Sequence, residues 1–128
     1  MKSSSRAQHD EEGKIIGLRL AGVKLTREDF ETVRNMPHLK WLWLSYMSLE
    51  DDQLAIIAGH PTLRNIRLDY TPISDAGLKH LETLPELQSV CMGNVDVSDA
   101  AIESLRKAQR EKFGKRNIGI GHNRPTKE

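Results

Sequence analysis

Every 24 residues this chain returns to the same residue types, and no other feature restricts its fold as tightly. Stepping from Leu68 gives Leu20, Leu44, Leu68 and Met92, and from Ile66 it gives Leu18, Leu42, Ile66 and Val90. Three further columns read Leu25, Leu49, Ile73, Val97; Phe30, Leu54, Leu78, Ile102; and Val33, Ile57, Leu81, Leu105. Pro37, Pro61 and Pro85 keep the same step, each followed two residues later by Leu39, Leu63 or Leu87. A fixed period of this size marks a stack of supersecondary units, in which neighbours bury the apolar face that one unit alone leaves bare.

Each unit opens with L-x-x-L-x-L, the alternation of a short strand with one face turned inward. A turn follows, then a helix whose apolar residues fall three apart, as at Leu78, Leu81 and Leu84, which holds one stripe toward the core. Thr26, Ser74 and Ser98 stand where a hydroxyl caps a helix amide; Glu50 replaces them in the second unit, which shifts the expected cap to Asp51. Proline near each helix end returns the chain to the next strand. The expected helices are therefore 26–36, 51–59, 75–84 and 99 to about 113, the last stopped by Gly114. The fold class is α/β. Residues 1–12 read as a polar, frayed segment, 13–113 as the repeat domain and 114–128 as a basic tail. In that tail Ile118 and Ile120 alternate with glycine, a pattern suited to a closing strand beside Val90–Met92.

Residues 63–87, LRNIRLDYTPISDAGLKHLETLPEL, resemble the leucine-rich repeat family, especially its cysteine-containing-like and bacterial forms with the pattern LxxLxLxxTxISDAGLxxLxxLPxL. The matching positions include Thr71, Ile73, Ser74, Asp75, Ala76, Gly77 and Leu78, and the resemblance spans residues 15–105. The first two units depart from it at the ninth position, with Val23 and Met47 in place of a polar residue. The resemblance implies a short right-handed solenoid of about four strand–turn–helix repeats, parallel strands on the concave face and helices on the convex one. It also implies a protein-binding scaffold, since few members are enzymes by virtue of the repeat itself.

Positions between the inward leucines point away from the core and stack into ladders across neighbouring strands. The third position gives Gly17, Trp41, Asn65 and Ser89, and the fifth gives Arg19, Trp43, Arg67 and Cys91. The seventh gives Ala21, Ser45, Asp69 and Gly93, and the eighth Gly22, Tyr46, Tyr70 and Asn94. Both tryptophans and both tyrosines of the protein thus fall on one face. Trp, Tyr and Arg are the types enriched at binding hot spots, so Trp41, Trp43, Tyr46 and Tyr70 are expected anchors. Arg19, Arg67, Asn65 and Asp69 would set polarity and register. The competing reading satisfies the rings internally, by Arg19 and Arg67 stacking on Trp43 or by the N-terminal segment folding over the face. About a dozen outward side chains is fewer than a stable protein interface engages, so a partner must also touch the ascending turns, such as 47–48 and 71–72, or be a peptide.

Other chemistry finds little support. No apolar run reaches the ~18 residues of a membrane helix, and MKSSSRAQHDEEGK has no hydrophobic segment, so no secretory signal is expected. One cysteine excludes an internal disulfide; a cytoplasmic, bacterial protein is the simplest reading. The five histidines lack metal-ligand spacing and His60 reads as a partly buried helix-end residue, so no metal or cofactor is expected. Cys91 reads as a small filler, and no nucleophile, base and stabiliser come together, so no enzyme is expected. Net charge divides unevenly, +6 over residues 106–128 and −5 over the rest. A basic tail containing Arg106, Lys107, Arg110, Lys112, Lys115 and Arg116 offers a second reading, nucleic-acid association. A third is self-association through sheet edges or the tryptophan faces, giving a monomer or weak homodimer.

Overall fold

The computed structural model describes residues 6–20, 24–114 and 118–123. Among them six strands form one sheet in chain order: β1 (Arg6–His9), β2 (Ile15–Arg19), β3 (Trp41–Trp43), β4 (Asn65–Arg67), β5 (Ser89–Gly93) and β6 (Gly119–Asn123). All neighbours from β2 onward are parallel; β1 runs antiparallel to β2. Helices α1 (Arg27–Arg34), α2 (Asp51–Ile57), α3 (Asp75–Lys79) and α4 (Asp99–Phe113) alternate with the parallel strands.

The sequence interval becomes lateral register. Gly17 lies beside Trp41, Trp41 beside Asn65 and Asn65 beside Ser89. Inward columns therefore meet their own kind, and Leu18, Leu42, Ile66 and Val90 form one buried row, with Leu44, Leu68 and Met92 in the next. Phe30, Leu54, Leu78 and Leu105 complete the core from the helix layer. Each such side chain contributes roughly 1.5–3 kcal/mol when fully buried.

Polar contacts tie each repeat to the next. The Asp51 carboxylate accepts from Ser74 N–H at 2.8 Å and Ser74 Oγ–H at 2.6 Å, and Asp75 does the same for Ser98 at 2.8 and 2.7 Å. Asp51 is thus engaged by its neighbour and does not cap its own helix; Gln53 Oε1 accepts from Glu50 N–H instead. Thr26 and Asp29 form a reciprocal capping box on α1. At the opposite helix ends, Arg34 donates to the carbonyls of Ile56 and Ala58, and Gln109 to that of Leu84. His60 is fully buried. Its Nδ1 accepts from Thr62 N–H, so its proton sits on Nε2, which donates to Val33 O. The third helix is shorter than expected: after Lys79 the chain tightens into a 3-10 turn, His80–Thr83, ahead of Pro85. Gly114, at φ 66°, ends α4 in the left-handed conformation.

The N-terminus departs from the expected frayed segment, whereas the C-terminus carries the closing strand expected from Ile118 and Ile120. Residues 6–9 are a strand, joined to β2 by a turn in which Asp10 accepts from the amides of Glu12 and Lys14, both at 2.9 Å. Those bonds, to Lys14 first, hold the Asp10 carboxyl below its ordinary value. At the other end Ile118 is buried and β6 pairs beside β5, where Asn123 accepts from Asn94 N–H through its side chain and from Val95 N–H through its carbonyl. Ala21, Gly22, Val23, Lys115 and Arg116 lie outside the described residues.

Candidate partner-binding face

Strand alternation sends Arg19, Trp43 and Arg67 to the open side of the sheet while Leu18, Leu42 and Ile66 face the helices. The rings there are neither sunk nor bare. Trp41 and Trp43 are half-buried and touch each other, with centroids 4.9 Å apart and planes tilted by 45°. The Trp41 indole lies over Gly17, whose missing side chain makes the space: a Cβ there would overlap Trp41 Cε2. Its Nε1–H donates to Gln8 Oε1 on β1 at 2.9 Å. The N-terminal strand therefore does shelter one of the two indoles, and Trp41 offers an edge of its ring, with its polar atom engaged.

Trp43 is flanked on one side only. The Arg67 guanidinium stands 5.1 Å from its ring centroid and pairs with Asp69 at 3.4 Å, whereas no such contact forms from Arg19. Asp69 also accepts from Gly93 N–H at 2.6 Å, and Asn65 Oδ1 accepts from Ser89 Oγ–H at 2.6 Å, so both act first as rungs between repeats. Trp43 and Arg67 form a ridge between two hollows. One, of about 360 Å³, reaches up to Tyr46 and Tyr70; the other, of about 380 Å³, runs down to Gln8 and Trp41.

The tyrosines crown the upper hollow. Tyr46 and Tyr70 stack with centroids 4.6 Å apart and planes only 10° from parallel. They are 64% and 50% exposed. Both have left-handed backbones, φ 59° and 58°, as does Asn94 at φ 60°. The turn after each strand demands that conformation: the Tyr46 amide must reach Asp69 O and the Tyr70 amide Gly93 O, each at 2.9 Å. Asparagine visits this region readily and a bulky residue rarely does. The column Gly22, Tyr46, Tyr70, Asn94 carries that signal in its first and last members. Two tyrosines thus occupy strained, exposed turn positions at the end of the sheet strands, and such outliers gather at ligand clamps.

Sequence reasoning missed Arg6 and Gln8. The turn signal Asp-Glu-Glu-Gly at 10–13 was available, but RAQH holds a single apolar residue and all four positions are exposed. Cys91 is partly exposed and stands beside Arg67 in the outward row. Among the described residues no group of histidine, cysteine and carboxylate side chains is arranged to hold a metal ion, and no helix is long and apolar enough to cross a membrane.

Parallel strands in 24-residue register, helices on the other layer and capped turns between them define a leucine-rich-repeat fold. Among solved structures, the leiomodin-1 actin-binding site 2 matches with a TM-score of 0.63 over 84% of this chain and 70% of that one, at 14% identity. At that identity the likeness carries the fold alone. No described family and no curated protein matches the sequence.

Proposed function

We propose that this protein is a non-enzymatic binding module, adaptor- or inhibitor-like, which grips a segment of another protein on its concave sheet. One observation carries this reading: Tyr46 and Tyr70 sit exposed and stacked at left-handed positions, beside the Trp43–Arg67 ridge. The core and the repeat ladder have no need of either ring. Trp43, Tyr46 and Tyr70 are the anchors, with Arg19 and Arg67 at their side; Trp41, Asn65 and Asp69 shape the floor. The leiomodin-1 domain of like fold is named as an actin-binding site, which supports a protein as the class of partner. Nucleic-acid binding by combined stacking and charge fits less well, because Arg106, Lys107, Arg110 and Lys112 lie on α4 in the helix layer and the rings on the opposite one.

Affinity capture with immobilised parent and Trp43→Ala protein, with bound proteins identified by mass spectrometry, tests the reading. A partner held by the parent should be lost from the variant while the far-ultraviolet circular dichroism is unchanged. The same proteins in the same yield from both would show that the face is not the docking surface.

A further inference from the structure

Reading the sheet sideways at the fifth position gives a row that the repeat alone does not contain. Arg6 on β1 is directly opposite Arg19 on β2, which neighbours Trp43, which neighbours Arg67. Cross-strand neighbours project to the same side, so three guanidinium groups share the open face around one indole. Arg67 is neutralised by Asp69. Arg6 and Arg19 are exposed and have no ion pair among the described residues. Glu12 pairs with Lys14 at 2.9 Å, and Asp69 is held by Arg67 and the Gly93 amide. Like charges directly opposite in an antiparallel pair destabilise it. A ligand that brings negative charge relieves that repulsion.

We propose that the concave face takes an extended acidic segment of a partner protein, seating aspartate or glutamate carboxylates on Arg6 and Arg19 and an apolar residue against Trp43. This rests on the reading of the face as a docking surface and adds the chemistry of its occupant. Arginine suits carboxylates because its planar fork receives both oxygens. Beyond the ridge, the row continues with Cys91 and Gly121, both small, so the large and charged contacts lie on the N-terminal half. A continuous polyanion suits the site poorly: Asp69 shares the face and the chain outside residues 106–128 is net negative. Two carboxylates on a short segment match two arginines that have no ion pair among the described residues.

The test uses fluorescein-labelled 12-residue peptide pools, random except for a central Glu-x-Leu-x-Glu. Matched pools carry Gln, Lys or phosphoserine in place of Glu, and a single-stranded RNA 12-mer serves as polyanion control. Anisotropy is read at low and at physiological salt. The parent should favour the Glu pool over the Gln pool by about 2- to 30-fold, the range for two exposed ion pairs, and the margin should shrink with salt. The Arg6→Glu, Arg19→Glu variant, with unchanged circular dichroism, should lose the Glu pool and gain the Lys pool. A parent that favours Gln or Lys, that binds only phosphoserine or RNA, or that binds no pool overturns the proposal, as does a charge-reversed variant that still binds Glu peptides. Binding of a pool that persists at full strength in Trp43→Ala instead overturns the docking surface itself.

Discussion

Replacing both tyrosines by asparagine, Tyr46→Asn with Tyr70→Asn, should make the protein more stable. An ordinary L-residue in the left-handed region costs about 1–2 kcal/mol, whereas asparagine visits it routinely. Two sites then release roughly 2–4 kcal/mol of strain, against which the lost ring stack removes about 0.5–1.5 kcal/mol. The rings are 64% and 50% exposed, so little apolar burial is given up. The main-chain bonds that impose the conformation, Tyr46 N–H to Asp69 O and Tyr70 N–H to Gly93 O, are available to any residue with an amide. The net expectation is a gain of roughly 0.5–3.5 kcal/mol. Asn94 already occupies the equivalent place at φ 60°, which shows that the turn accepts the replacement. Urea unfolding followed by circular dichroism reads the result as a higher midpoint at unchanged slope. The same variant should bind the Glu-bearing peptide pool more weakly than the parent. A midpoint that stays put or falls would refute the strain argument, and full binding by a stabilised variant would refute the claim that the rings are kept for a ligand.

Two further outcomes follow from contacts within the fold. Gly17→Ala places a methyl where the Trp41 indole lies, so the ring should swing out, lose its bond to Gln8 and shift tryptophan emission to the red; overpacking of this kind costs about 1–3 kcal/mol, and an unshifted spectrum would show that the ring does not rest there. Burial holds the His60 imidazole below the ordinary value of 6.5, its bonds to neighbouring carbonyls opposing this only in part. The fold therefore keeps it neutral while the unfolded chain takes up a proton, and stability present above pH 6.5 should decline as pH falls from there toward the folded value. His60→Leu, which copies Leu84 of the next repeat, should flatten that part of the profile in urea titrations at pH 7.5 and 5.5, and an equally steep decline in the variant would assign the effect elsewhere.

The parts of the molecule that recur were legible in the sequence; of the two strands that break the period, β6 was announced and β1 was not. Leu42, Ile66 and Val90 must be alike because each packs against the next, so their spacing predicts strands, inward faces and lateral register together. The same logic placed Trp43 on open sheet, while Tyr46 and Tyr70, read as outward strand positions, stand exposed in the turns that follow β3 and β4. It failed at β1, which pairs with β2 by backbone bonds that leave no trace in side-chain pattern, and with β1 went Arg6 and Gln8. The competing reading, in which both Arg19 and Arg67 stack on Trp43, is met only in part. Only Arg67 stacks, because Asp69, two residues on, holds its guanidinium, while Arg19 faces Arg6 and has no such carboxylate. The closing strand shows the limit from the other side. Ile118 and Ile120 announced a strand, but β6 aligns Gly119 with Ser89, thirty residues on, so extrapolating the period would have placed the wrong residues beside β5. A partner reads the positions that packing leaves free to vary. On this sheet those positions are a glycine beneath one indole, an arginine from outside the repeats and two tyrosines where glycine or asparagine would fit more easily. Each departs from what its neighbours require, and together they give one end of the face its charge and bulk.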